Sequence, residues 1–236
     1  MKGKQIAVQA ITYFLVVTIF TAATFWGSEA VTVLAQKIPL ERKHTIIIDA
    51  GHGGLDGGAT SCYGNLESAF NLEIALKLND LLHLLGYDTV MIRTADRSVY
   101  TQGETIAAKK VSDLKERVRI VNETENGVLV SIHQNTFSDS RYSGAQVFYS
   151  PAGESQALAA AMQDAFCSSI NPGSNRKCKK ADGVYLMQNI HCTGVLVECG
   201  FLSNPEEEAK LRDAGYQKNI CCVIASTVTQ FLTGER

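Results

Sequence analysis

The chain has 236 residues, of which 45% are hydrophobic and 19% are charged, and its formal net charge at pH 7 is −2. This length and balance are typical of one good-sized globular domain, or at most two small ones, and they exclude a disordered or fibrous protein. The charge is close to neutral, and the sequence has no basic stripe with interleaved aromatic residues, so we predict no nucleic-acid partner.

The N-terminal residues 1–42 differ from the rest of the sequence. Lys2 and Lys4 precede an uncharged run over residues 6–26, which is the arrangement of a secretory signal. The run also approaches the ~20 residues that span a bilayer, so a cleaved signal peptide and an uncleaved membrane anchor are both open. The positive-inside rule places the bulk of the chain outside the cytoplasm. We therefore predict a signal or membrane anchor with a linker at 1–42, and an exported domain, anchored or secreted, at 43–236.

Strand and helix patterns alternate from residue 43 onward. Short β-branched or aromatic runs bounded by turn residues predict strands at residues 45–49, 89–94, 127–133, 145–150 and 194–199. Helical patterns lie at residues 68–85, 112–125 (behind a Ser112 cap), 155–167, 204–211 (behind an Asn204 cap) and 217–232. Because the strands are continuous apolar runs separated by helices, we predict a single α/β domain with a mostly parallel sheet that helices flank on both faces.

The sequence also contains seven cysteines, which an exported protein could use for disulfide bonds. The count is odd, and no pair has the CxxC spacing, so we assign no disulfide. Cys199, Cys221 and Cys222 lie in apolar segments, and we expect them to be buried thiols.

Three chemically capable side chains follow or end predicted strands. His52 lies in the stretch DAGHGGLDGGA after the first strand, His133 ends LVSIH, and Glu198 ends VLVE. Parallel sheets place their chemistry outside the carboxyl ends of the strands, so these side chains should converge at one edge. A hydrolytic zinc site needs three nitrogen or oxygen ligands and a general base. Glu67, at the head of the first long helix, is a candidate third ligand, which leaves Glu198 free to act as acid and base.

Each of these residues also has an ordinary structural interpretation. A histidine after a strand is commonly a hydrogen-bonded turn residue, and a histidine in an apolar run is commonly a satisfied core residue. A glutamate at a helix start usually interacts with the helix dipole. His52, His133 and Glu67 are therefore weak candidates individually. Glu198 differs, because an unpaired carboxylate in the apolar stretch GVLVECGF is costly to bury.

Taken together, four segments resemble the zinc-dependent N-acetylmuramoyl-L-alanine amidases, the family often called amidase type 3. They are IIIDAGHGGLDGGA, then Glu67, then LVSIHQN, then GVLVECGFLSNPEE, and the match covers nearly all of the predicted exported part. The resemblance implies that His52, Glu67 and His133 bind Zn²⁺ and that Glu198 is the catalytic carboxylate. It also implies a central six-stranded sheet, for which residues 183–187 would supply the sixth strand.

The resemblance further implies a substrate and a reaction. The substrate would be peptidoglycan, and the bond would be the amide between N-acetylmuramic acid and the first L-alanine of the stem peptide. Glu198 would take a proton from the attacking water and deliver it to the leaving nitrogen. We expect the glycines of GHGGLDGG to allow a sharp turn and to leave space beside the metal for substrate. Asp49 and Asp56 are candidates to orient an imidazole or brace the turn, and simple turn caps would also explain them.

Within the family, a chain with a hydrophobic N-terminal segment and no wall-binding repeats resembles the sporulation branch. Residues 95–117 resemble the extended polar loop of that branch, whose enzymes help to form muramic-δ-lactam in spore cortex, so we expect action on the cell wall or spore cortex side. A general lytic or cell-separation amidase, a zinc peptidase or carboxypeptidase of the stem peptide, and an inactive wall-binding protein stay open. The sequence is compatible with an activating protein partner that docks on residues 95–117. Gln134 departs from the family pattern, in which a small residue is common.

Overall fold

The structure is a computed structural model, and it describes residues 44–234. These residues form a single α/β domain, as predicted, with six strands in one sheet and six helices. The strands are β1 (Thr45–Ala50), β2 (Asp88–Met91), β3 (Gly127–Asn135), β4 (Gln146–Tyr149), β5 (Lys179–Lys180) and β6 (Thr193–Phe201). The helices are α1 (Glu67–Leu84), α2 (Ile106–Glu123), α3 (Ser155–Ser169), α4 (Tyr185–Asn189), α5 (Pro205–Arg212) and α6 (Ala214–Thr233).

The predicted signal or anchor at residues 1–42 lies outside the described residues. Among residues 44–234, no helix combines the length and the apolar character needed to cross a membrane. The division of the chain at residue 42, and the export that follows from it, stay predictions.

The sheet has the strand order β2-β1-β3-β6-β4-β5. β1 is parallel to β2 and β3, and β3 is parallel to β6, so the prediction of a mostly parallel sheet is confirmed. β4 runs antiparallel to β6 and carries β5 at its outer edge. His133 and Glu198 are direct register partners on β3 and β6, so their side chains project from the same face of the sheet. His52 follows the neighbouring strand β1 at the same carboxyl edge.

Helices cover both faces of the sheet, which explains why the central strands β1, β3 and β6 are apolar at most positions. Ile46 and Ile48 of β1 pack with α1, α3 and α6 on one face, whereas Ile47 faces the other side. On that second face, Ile47 packs in a smaller cluster with Val121 of α2 and Leu186 of α4. Alternate residues of a strand project to opposite faces, so a strand that is buried on both sides must be apolar at every position.

The prediction that residues 183–187 form the sixth strand is wrong. Residues Tyr185–Asn189 are the short helix α4, and the sixth strand is Lys179–Lys180. A short apolar run does not distinguish a buried strand from a buried helix turn. The two lysines of β5 are exposed and give no apolar strand pattern, because β5 makes only two register pairs at the sheet edge.

The start of α2 also differs from the prediction. Thr105, not Ser112, caps the helix: its hydroxyl accepts a hydrogen bond from the Ala108 N–H at 3.1 Å. The helix therefore occupies the second half of residues 95–117, which the sequence suggested was an extended loop. The Ser112 hydroxyl instead accepts from the N–H groups of Thr101 and Gln102, so it fastens the preceding loop to the helix.

Two smaller predictions can be compared directly with the structure. Asn204 caps α5 as expected, because its side chain accepts from the N–H groups of Glu206 and Glu207. All seven cysteines are free thiols in the structure. Cys199 and Cys221 are buried, but Cys222 is exposed, because neighbouring positions on a helix point about 100° apart.

Candidate metal centre

His52, Glu67 and His133 meet at the carboxyl edge of the sheet. Each offers one ligand atom, and the three atoms lie within 4.8 Å of one another. Glu67 Oε1 is 2.9 Å from His133 Nδ1, and Glu67 Oε2 is 3.3 Å from His52 Nε2. Two imidazoles and one carboxylate are a donor set of hydrolytic zinc sites. The structure therefore brings together the three residues that the sequence proposed as ligands.

A tight turn orients the imidazole of His52. Gly53 and Asp56 exchange backbone hydrogen bonds of 2.7 and 3.2 Å, which closes the turn. His52 itself has a positive φ of 61°, a backbone conformation that residues other than glycine rarely adopt. The Asp56 carboxylate lies 2.9 Å from His52 Nδ1, so Nε2 is left facing Glu67. Asp56 thus orients the imidazole, as a carboxylate behind a metal-binding histidine commonly does.

The glycines of this segment make room for the side chains of the candidate ligands. A Cβ atom on Gly51 would lie 2.2 Å from His133 Nε2, and a Cβ atom on Gly58 would lie 2.6 Å from Glu67 Oε2. Both distances are far inside van der Waals contact, so a larger residue at either position would force the His133 or Glu67 side chain to move. The sequence interpretation assigned the space to substrate. At Gly51 and Gly58 the side chains of the candidate ligands occupy the space, and room for substrate beside the metal stays a prediction.

Glu67 is the most heavily hydrogen-bonded of the three candidate ligands. Its oxygens accept from the N–H groups of Ala59 at 2.9 Å and Gln134 at 3.2 Å, and from the Asn71 side chain at 3.2 Å. Burial raises the pKa of this carboxyl, but hydrogen bonds and charge from the two histidines hold it well below its usual range. Gln134 also donates a side-chain hydrogen bond to Asn71, at 3.2 Å, so this unusual residue braces the support of Glu67.

Glu198 lies beside this cluster and makes no comparable contacts. Its Oε2 atom is buried and has no hydrogen-bond partner among residues 44–234. Burial raises the pKa of Glu198 to about 7; the positive charge of His133 opposes the rise, and the negative charge of Glu67 adds to it. A buried carboxylate oxygen without a partner is costly, and such strained ionisable groups cluster at functional sites.

A buried arginine, Arg117, stabilises the turn that carries His52, and the sequence analysis missed it. Arg117 of α2 pairs with Asp49 and with Asp113, and it donates to the carbonyls of Ala50 at 3.1 Å and His52 at 2.7 Å. Burial raises the pKa of Asp49, but the charges of Arg117 and His133, together with hydrogen bonds from Ser131 and Arg117, hold it below its usual range. Asp49 therefore braces the turn and does not touch an imidazole. Arg117 lies four residues before Val121 and therefore on the same, apolar face of the helix. This spacing could have indicated from the sequence that Arg117 is buried.

A second buried arginine, Arg93, was also missed. It is fully buried, and it donates to the carbonyls of Ala50 at 2.7 Å, Gly51 at 3.0 Å and Ser68 at 2.8 Å. These contacts join the segment before His52 to the first turn of α1, which carries Glu67. Arg93 is the penultimate residue of the run TVMIRT and lies at the carboxyl edge of the sheet. The rule that selected His133 would therefore also have selected Arg93.

Comparisons with known proteins give the family. Residues 46–230 match the family model of N-acetylmuramoyl-L-alanine amidases. The germination-specific N-acetylmuramoyl-L-alanine amidase of Bacillus subtilis (strain 168) is 36% identical over 199 residues, which cover 83% of this chain and 82% of that protein. Among solved structures, the CwlD amidase from Clostridioides difficile in complex with the GerS lipoprotein has a TM-score of 0.77 and 36% identity, with 81% of this chain and 99% of that chain covered.

The catalytic domain of CwlV, an N-acetylmuramoyl-L-alanine amidase from Bacillus (Paenibacillus) polymyxa var. colistinus, is also similar. It has a TM-score of 0.67 and 31% identity, with 80% of this chain and 98% of that chain covered. The match to the family model spans most of the sequence and contains all four candidate site residues. The chain therefore belongs to the N-acetylmuramoyl-L-alanine amidase family and is a hydrolase of peptidoglycan.

Proposed function

We propose that this chain is a zinc-dependent amidase that cleaves the bond between N-acetylmuramic acid and the L-alanine of the stem peptide. The observation that carries the proposal is the buried, unpaired Oε2 of Glu198 beside a compact cluster of two histidines and one glutamate. A hydrolase of an unactivated amide needs both an electrophilic catalyst and a group that moves a proton, and these two features supply them.

The residues present fit a zinc ion. Zinc prefers imidazole nitrogen and carboxylate oxygen as ligands, and one such atom from each of the three residues lies within 4.8 Å of the others. His52, Glu67 and His133 would hold the ion. Bound there, zinc would supply a Lewis acid that polarises the scissile carbonyl and acidifies water.

The other roles fall to the protein's own side chains. Glu198 accepts the proton of the attacking water and then delivers it to the nitrogen of the departing L-alanine. In the metal-free site burial raises the pKa of Glu198 to about 7, and the charge of bound zinc would lower it toward the ionised form that accepts a proton from water. Asp56 keeps the His52 imidazole in one orientation, and Arg117 holds the backbone carbonyl of His52.

Product analysis tests the amidase assignment against the peptidase alternative. The purified protein with zinc should release intact stem peptides with a free N-terminal L-alanine from peptidoglycan, as measured by mass spectrometry. His133→Ala should release none and should bind little zinc, whereas His191→Ala, at an exposed histidine elsewhere, should behave as wild type. Cuts inside the stem would make the enzyme a peptidase instead, and bound zinc without any cleavage would favour the inactive wall-binding protein.

Zinc affinity is expected to weaken as the pH falls. Burial lowers the pKa of His52, but hydrogen bonds and charge from Glu67 and Asp56 outweigh burial and raise it to about 9. At pH 7 the metal-free site therefore carries a proton on His52, which zinc must displace. Titration calorimetry in buffers of different ionisation enthalpy should show about one proton released per zinc at pH 7, with ~tenfold weaker binding at pH 6. Zinc binding without proton release would contradict this.

Gly51→Ala is expected to weaken zinc binding by at least ~tenfold, because the added methyl group would displace the His133 ring from the cluster. The matched control is Gly57→Ala in the same segment, whose Cβ atom would meet only the exposed Leu66 side chain, at 3.1 Å. Competition with a chromogenic zinc chelator measures both affinities. Equal affinities in the two variants would show that the close packing of Gly51 against His133 is unimportant for the metal.

We also propose a role in spore cortex maturation, with muramic-δ-lactam as the final product. The support is the 36% identity to a germination-specific amidase. Removal of the stem peptide frees the lactyl carboxyl group, which can close onto the sugar nitrogen only after a separate deacetylase has acted. Peptidoglycan treated with this chain and then with a muramic acid deacetylase should contain δ-lactam. A general lytic amidase in the cell would instead act on vegetative walls, so δ-lactam content in a deletion strain distinguishes the two.

Peptidoglycan lies outside the cytoplasmic membrane, so its hydrolase acts there; anchoring through residues 6–26 stays a proposal. One similar solved structure is that of the C. difficile amidase in complex with a lipoprotein. We propose that this chain also binds a protein partner and that the partner activates it. Low zinc content of the protein purified alone, restored by a co-expressed partner, would support this, and full zinc occupancy and full activity of the isolated chain would contradict it.

A further inference from the structure

A cavity of about 340 Å³ opens beside the metal centre, on the face of the sheet that α2 and α4 cover. His52 and His133 form its end at the metal centre, and Leu186 and Leu196 belong to its apolar lining. Its volume lies within the ~300–1,000 Å³ that is typical of ligand pockets. The reaction as described above assigns no function to this space.

Nearly all of the charges that line the cavity are already paired. Arg117 pairs with Asp49 and Asp113, and Lys110 pairs with Asp56 at 2.9 Å. These five side chains account for every carboxylate of the lining and for two of its three lysine and arginine side chains. They support the turn that carries His52 and leave no carboxylate for a further cation.

The remaining cation is Lys109, in the first turn of α2. No carboxylate pairs with it among the described residues, and its ammonium group lies over the ring of Tyr100, at 5.2 Å from the centroid. The aromatic face steadies the ammonium group without neutralising it, so its hydrogen-bond donors stay available. A half-buried, unpaired cation in a largely apolar cavity favours a ligand that is partly apolar and carries one negative charge.

The size of the cavity limits which part of the proposed substrate can enter. A volume of 340 Å³ is roughly 9 Å across, which about two or three residues span at ~3.3–3.6 Å each in an extended chain. A glycan strand is a polymer and must run over the open surface. The peptide side of the scissile amide, in contrast, begins with L-alanine and continues with D-glutamate, whose α-carboxylate is free unless it is amidated.

We propose that this cavity binds the peptide side of the substrate and that Lys109 binds the free α-carboxylate of the residue after L-alanine. The inference rests on the proposed amidase function, because the scissile carbonyl must lie at the His52–His133 end. It makes Lys109 a specificity-determining residue: the enzyme prefers stems with a free carboxylate over stems in which that group is amidated.

The test compares two substrates with three enzymes: wild type, Lys109→Gln and the control Lys115→Gln. The substrates are muropeptides that differ only in a free or amidated α-carboxyl of D-glutamate. Wild type should prefer the free acid by about tenfold in kcat/KM, the size expected of one charged hydrogen bond. Lys109→Gln should abolish this preference by raising KM for the free-acid muropeptide, and its zinc content should be unchanged. Lys115→Gln, which removes an exposed charge from the same helix outside the cavity, should keep the preference.

The outcomes separate this inference from the function on which it rests. Wild type that cleaves neither muropeptide at the N-acetylmuramoyl bond would overturn the amidase proposal and the inference with it. Cleavage of both at equal kcat/KM, or a preference that survives in Lys109→Gln, would overturn the inference alone. The preference should also shrink when the salt concentration is raised, since it depends on a partly exposed charge.

Discussion

Glu198→Gln is expected to lower kcat by about 10²–10⁴-fold, the usual contribution of a positioned general acid and base, with zinc still bound. The amide of glutamine has nearly the same shape as the carboxyl group but cannot accept the proton of water. Release of stem peptides from peptidoglycan measures kcat, and metal analysis of the same samples measures zinc. The matched control is Glu125→Gln, at an exposed glutamate in the turn before β3, which should retain full activity.

The stability of Glu198→Gln should move in the opposite direction from its activity. A carboxyl whose pKa is raised to about 7 on folding destabilises the native state as the pH rises, and the penalty is complete above pH 7. Glutamine carries no charge, so the metal-free variant should melt at the same temperature as wild type or higher at pH 8. A variant that loses activity and also unfolds more easily would show that Glu198 has a structural role, and the assignment of catalysis to it would fail.

The free-energy cost of burying the Glu198 carboxylate is also the reason that the sequence alone indicated a function for this residue. A carboxylate within an apolar strand either has a partner or a function, so burial could be inferred before any contact was known. The strands of the central sheet could also be predicted from the sequence, since a strand that is buried on both faces is a nearly continuous apolar run. His52 and His133 needed one more rule, that parallel strands end at a common edge.

The features that sequence reasoning missed depend on contacts between distant segments. Whether residues 183–187 form a strand or a helix is decided by packing against Leu196 and the α2 face, which no local pattern records. Gly51 looks like a turn residue, yet the constraint on it comes from His133, far away in sequence. Arg117 resembles an ordinary surface arginine of a polar helix until Asp49 and the carbonyl groups of the turn are placed around it.

Those contacts make Arg117→Met the substitution with the largest expected effect on stability, about 3–5 kcal/mol in the free energy of unfolding. Methionine replaces the aliphatic volume but leaves the Asp49 carboxylate buried, and among residues 44–234 only the Ser131 hydroxyl then donates a hydrogen bond to it, at 2.7 Å. It also removes the donor to the His52 carbonyl, so zinc affinity should fall together with stability. Urea denaturation at pH 7 measures the effect.

Arg119→Met is the matched control for this substitution. Arg119 lies two residues further along α2 and pairs with Glu116 and Glu123, but it is exposed, and pairs of that kind contribute only ~0–1 kcal/mol. If Arg117→Met cost no more than Arg119→Met, the buried network would not be what holds the turn. Since the pKa of Asp49 is lowered on folding, the contribution of its pair with Arg117 is present above the ordinary range of an aspartate carboxyl. That contribution is lost as the pH falls below this range, so the difference between wild type and Arg117→Met should narrow in acid.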